Sequence, residues 1–137
     1  MIGHHFTSET IYERYIAENG LDSKSTFETE LGTVVGSWVF MFPLSGLSLL
    51  GTLIFNAVKR RTTRICHLEV EYNREDIHPF LVDQGQDEIL ELYHDGSLGE
   101  WVYHTDVPAL VLAERIPPER VKLVRSYDLM DILKDQA

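Results

Sequence analysis

Apolar and polar positions alternate most clearly between residues 65 and 72, where Cys66, Leu68, Val70 and Tyr72 are interleaved with His67, Glu69 and Glu71. That period of two predicts a half-buried strand with one wet face. A helical period comes earlier: Ile11, Tyr12, Tyr15 and Ile16 share one face, with Thr7 or Ser8 available as the cap and Glu9 in the first turn. Asn19-Gly20 ends it, and residues 21–30 read as a polar loop. Residues 2–6 form a short apolar and aromatic opening that holds two histidines. Beyond residue 72, polar stretches flank Pro79-Phe80-Leu81-Val82; residues 89–93 suit either strand or helix, and residues 94–99 read as a turn. Residues 100–104, 109–114 and 121–125 then read as strands separated by proline-bearing turns, and residues 129–134 as a closing helix. This order is an α+β pattern.

The run from Leu31 to Val58 carries no charge and is followed at once by Lys59, Arg60 and Arg61. Length and positive flank fit a transmembrane helix. The internal pattern favours something else. Residues 34–42 are β-branched and aromatic, as in a buried strand, and Pro43 with Ser45-Gly46 marks a turn. Residues 47–58 place Leu47, Leu50, Ile54 and Ala57 or Val58 on one helical face, with Thr52 and Asn56 off it. A strand–turn–helix is therefore expected, and a small membrane-anchored protein using residues 31–58 is the rival. The N-terminus has acidic residues and no basic segment, which argues against a secretory signal.

Composition narrows the classes. The chain has 137 residues with 44% hydrophobic residues, suited to a single domain over 1–137 and too apolar for disorder. Its one cysteine, Cys66, excludes a disulfide framework and zinc sites built on several thiolates. Twelve basic against twenty-two acidic residues give a net charge of −10, which argues against adhesion to nucleic-acid phosphates. A soluble, cytoplasmic protein is expected. No Gly-x-Ser-x-Gly elbow or phosphate-binding Gly-x-x-x-x-Gly-Lys-Ser/Thr loop is present. Adjacent His4 and His5 do not make a metal pair, so no metal is expected. Lys59, Arg60, Arg61 and Arg64 read as the exposed, dipole-compatible end of a helix, with a phosphate contact as the alternative.

Short motifs spread over most of the chain form a second pattern. His5-Phe6-Thr7-Ser8 precedes a helix and the exit Asn19-Gly20-Leu21; Gly36-Ser37-Trp38-Val39-Phe40 precedes another helix; residues 65–72 follow as a strand. Glu100-Trp101-Val102-Tyr103-His104-Thr105-Asp106-Val107-Pro108 and Arg115-Ile116-Pro117-Pro118-Glu119-Arg120-Val121 complete the series. The set resembles the ADP-ribosyltransferase-like superfamily, in the style of the thymidine ADP-ribosyltransferase toxins and, more distantly, the RNA 2′-phosphotransferases.

The resemblance implies two small, mainly antiparallel sheets with flanking helices around a cleft that binds NAD⁺ as a substrate. It implies transfer of ADP-ribose to a protein or exposed nucleobase, or hydrolysis of NAD⁺, in a toxin, effector or phage-related modifier with an antitoxin or inhibitor protein as a further partner. Glu100 would be the catalytic acid. His5, Thr7, Ser8, Trp38 and Phe40 would bind the dinucleotide, with Trp38 or Phe40 against the nicotinamide and either His4 or His5 facing the cleft. Trp38 stands where the His-Tyr-Glu group has tyrosine, and Leu98 stands where arginine-modifying enzymes carry Gln or Glu. A second register puts Ala109 in the place of the acid and predicts an inactive domain. A non-catalytic interaction module with the same fold is the competing reading.

Overall fold

The computed structural model describes residues 1–22, 25–29, 32–78 and 108–136. Residues 79–107, with Glu100 and the strand expected at 100–104, lie outside the described residues. Strand β1 (Ile2–Ser8) runs into a short helical stretch made of α1 (Glu9–Ile11), a π-helical turn (Tyr12–Ile16) and α2 (Ala17–Asn19). Ser8 is the cap, its hydroxyl accepting the Ile11 N–H at 3.1 Å. The π turn alters the predicted face. With i to i+5 bonding, Ile16 comes round beneath Ile11, so Ile16 is buried while Tyr15 is left 61% exposed.

The expected strand–turn–helix is β3 (Gly32–Phe40) followed by α3 (Gly46–Arg60), and no helix among the described residues is long and apolar enough to cross a membrane. The loop expected at 21–30 instead contains β2 (Ser25–Thr29), which forms an antiparallel hairpin with the first half of β3. Strand β4 (Arg64–Glu71) matches the alternating pattern, with Cys66, Leu68 and Val70 buried. Then come β5 (Ala109–Leu112), β6 (Val121–Asp128) and α4 (Leu129–Gln136).

The fold is α+β, as the order of elements predicted. Among the described residues the strands form one antiparallel six-stranded sheet, where two were expected, in the order β2-β3-β1-β4-β6, with β5 also paired to β3. Strand β3 is the reason. At nine residues it is long enough to pair with β2 through Gly32 to Gly36 and with β5 through Ser37 to Phe40. The core gathers Val39, Leu53, Ile65, Leu68, Leu110 and Ile116, all nearly or wholly buried. Asp76 closes the end of β4: it accepts the Asn73 N–H and pairs with Arg120. Burial alone would raise its carboxyl pKa, but these two donors hold it below the ordinary range.

Helix α3 is rotated from its expected orientation, with only Leu50 and Ala57 of the expected face partly packed against the core. Leu47 is 87% exposed and Val58 76%, and Ile54 also faces outward, while Thr52 and Asn56 are buried beside Leu53. A helix that turns its polar residues inward gives up apolar burial, so those residues have a use in the interior.

Candidate active site

A central strand with both faces covered ordinarily reads as a Val/Ile run. Strand β1 occupies that place, yet it buries His4, His5, Thr7 and Ser8. Local rules broken in this way cluster where a protein has a site. The pairing of β1 is also lopsided. It pairs with β4 along its whole length, from Ile2–Glu71 to Ser8–Ile65, but with β3 only at His4–Phe40. Past that pair a side chain takes over: His5 Nδ1 donates to the Trp38 carbonyl at 2.7 Å.

That bond fixes the chemistry of the ring. A carbonyl only accepts, so the proton sits on Nδ1 and the neutral imidazole leaves Nε2 as an acceptor. Burial is the main force pushing the His5 pKa down to about 4; the Trp38 carbonyl opposes it, and Arg60 and Lys59 add to it. The sign of the linked stability follows. Above about pH 6.5 His5 is neutral in folded and unfolded chains alike. As the pH falls towards 4 the unfolded chain takes up the proton first, and stability is lost. Between pH 7 and 5 this amounts to roughly 2 kcal/mol. Unfolding free energies of the wild type and His5→Gln across that interval should diverge by about this amount, the variant showing the shallower fall.

His5, Phe6, Trp38 and Phe40 line one side of a small groove that encloses about 60 Å³. Helix α3 forms the facing wall with Thr52, Asn56, Lys59 and Arg60, and Ser25 and Phe55 complete the lining. The rings make a connected row: Trp38 and Phe40 centroids are 5.6 Å apart, Phe40 and Phe6 6.2 Å, and Phe6 stacks on His67 at 4.8 Å. His4 belongs to the far end of this row, where its Nδ1 lies 2.9 Å from His67 Nε2. Of the two adjacent histidines, His5 is therefore the one in the groove.

The other predicted residues fall as follows. Trp38 and Phe40 both line the groove, so the choice between them as ring platform reduces to exposure: Trp38 is half-buried and Phe40 buried. Thr7 is buried opposite Cys66, and Ser8 is the helix cap; neither lines the groove. Ala109, the position that the second register gives to the acid, is fully buried in β5 opposite Phe40. Among the described residues no three His, Cys, Asp or Glu side chains are placed to hold a metal.

The α3 wall contributes what the sequence reading passed over. Thr52 and Asn56 lie off the apolar face that the sequence predicts, and Lys59 and Arg60 read there as an exposed helix end. Their spacing of i, i+4, i+7 and i+8 puts all four on one face, a signal present in the sequence but masked by the stronger apolar stripe opposite. Partial desolvation lowers the pKa of Lys59, reinforced by Arg60, and burial lowers that of Arg60. Comparison with known proteins finds no family model, curated protein or solved structure that matches the chain.

Proposed function

We propose that this chain binds NAD⁺ in the groove between β1, β3 and α3 and breaks its nicotinamide–ribose bond, passing ADP-ribose to a macromolecular acceptor or to water. One observation supports the reading above the rest. A neutral histidine acceptor, an aromatic platform and a cationic wall meet in a single groove, although they come from three separate parts of the sequence. Each has a matching part of a dinucleotide. Nε2 of His5 accepts from a ribose hydroxyl, the Trp38 face covers a flat ring, and the cations meet phosphate charge.

In the reaction the C–N glycosidic bond breaks and nicotinamide leaves with its electron pair. The ribose C1′, cationic in the transition state, is attacked by an acceptor nucleophile or water, which gives up a proton. A carboxylate beside that carbon stabilises the growing charge, the role the resemblance gives to Glu100. The chain's acidity disfavours a long duplex interface, so a protein side chain or a single exposed base fits better as the acceptor.

The test is a titration of the full chain with NAD⁺. Saturable quenching of tryptophan fluorescence, absent in Trp38→Phe, is expected together with a shift of the His5 imidazole resonances and a rise in unfolding temperature. An unmoved unfolding temperature and no release of nicotinamide would overturn the proposal in favour of an interaction module with the same fold.

A further inference from the structure

We infer that the α3 wall of the groove is a phosphate subsite, in which the Thr52 hydroxyl and the Lys59 and Arg60 cations hold a phosphate or pyrophosphate group. The identity of the ligand rests on the NAD⁺ reading; the anion site itself does not. Three independent observations converge on it. First, Thr52 is 2% exposed and its Oγ1 has no hydrogen-bond partner among the described residues. A threonine within a helix ordinarily returns its hydroxyl to the carbonyl one turn back. Here the hydroxyl sits just inside the groove wall with its proton unused, at the cost that any buried, unsatisfied donor carries, and a small shift of its rotamer or of the wall would be needed to offer it to a ligand.

Second, Lys59 and Arg60 have no acidic partner among the described residues, in a chain rich in acids. Both face the groove and lose hydration there, whereas Arg64 and Arg120 find carboxylates. Balancing the helix dipole requires no burial, yet Arg60 is partly buried, unlike Arg61 at the same helix end.

Third, the guanidinium is held in place. Asn56 is anchored by donating to the Thr52 carbonyl at 2.9 Å, and its Oδ1 accepts from Arg60 Nε at 3.4 Å. With Nε engaged, the two terminal nitrogens of Arg60 are the ones presented to a ligand, the fork that suits phosphate oxygens. Lys59, above the Phe55 ring at 5.8 Å, adds a second charge on the same side.

The experiment is calorimetric and NMR titration of the full chain with inorganic pyrophosphate, ADP-ribose and adenosine, in the wild type and in Arg60→Gln, Lys59→Gln and Thr52→Val. Pyrophosphate and ADP-ribose are expected to bind and adenosine to bind far more weakly. Arg60→Gln should weaken the two phosphate probes by about 10- to 100-fold, as for a charge-assisted hydrogen bond. Thr52→Val should weaken them while raising the unfolding temperature, because it removes an unsatisfied buried hydroxyl at constant shape. Lys59 is exposed, so its variant keeps the test open if Arg60→Gln does not fold. Unchanged affinities in all three variants, or no binding of either phosphate probe, overturn the subsite. If NAD⁺ still binds and shifts His5 in that case, the dinucleotide reading survives alone. If pyrophosphate binds through Arg60 but NAD⁺ does not bind, the subsite stands and the dinucleotide reading falls.

Discussion

Glu100→Gln is expected to slow NAD⁺ cleavage by about 10²- to 10³-fold, the range found when one preorganised electrostatic group is removed from an active site. The amide keeps the size and most of the hydrogen bonding of the acid, so NAD⁺ affinity should change far less than turnover. That split follows from when the charge appears. Bound NAD⁺ has little positive charge at C1′; the transition state has much, and only an interaction that strengthens between the two accelerates the step. Nicotinamide release measured at saturating NAD⁺ checks turnover, and calorimetry checks affinity. Full turnover in the variant would remove Glu100 from the mechanism. A wild type that binds NAD⁺ without cleaving it would favour the register in which Ala109 takes the acid's place, a position with no titratable group, buried against β3.

Gly20→Ala should cost about 4 kcal/mol of stability, enough to unfold a chain of ordinary stability at elevated temperature. Two causes add. Gly20 ends the first helical stretch at φ +84° and ψ −173°, a region open to glycine and costly for any other residue by about 1–3 kcal/mol. A Cβ there would also run into the carbonyl of Ile116, which is backbone and cannot step aside. Leu21 and Ile116 exchange two backbone hydrogen bonds of 2.8 and 2.9 Å at this point, so relief of the clash would break a pair of fully buried residues apart; overpacking of this kind adds a further 1–3 kcal/mol or so. Gly46→Ala is the control. Gly46 also has positive φ, at +56°, but a Cβ would meet open space, so about 1 kcal/mol is expected. Chemical denaturation of the two variants should show this contrast, and equal losses would refute the clash.

The elements that declared themselves in the sequence are those whose period is set by their own burial. Strand β4 alternates because one of its faces packs and the other is less covered, and β3 and α3 are divided by the turn at Pro43. Less legible were the places where distant chain takes part. Strand β2 looked like a polar loop because its pairing partner, the first half of β3, supplies what its own residues do not announce. The face of α3 was misjudged for a related reason. Periodicity reports which residues share a side and leaves open which side is covered, and here the sheet covers the polar one. For the groove, His5, Trp38 and Phe40 are named by the resemblance of motifs, whereas Thr52, Asn56, Lys59 and Arg60 become visible only when β1 and α3 stand on either side of it. Ser8 shows the converse: a motif residue whose hydroxyl is already committed to holding a helix.

The single residue pair between β1 and β3 makes a seam in a sheet whose other described strand pairings each join four residues or more. Across it the tie at His5 is an imidazole on a swivelling side chain, a latch where a ladder of amides would be a weld. Releasing the His5 bond alone costs about 1 kcal/mol and leaves the His4–Phe40 pair and the seven pairs between β1 and β4 untouched. Along that line the two strands are joined by side-chain packing far more than by main-chain bonds.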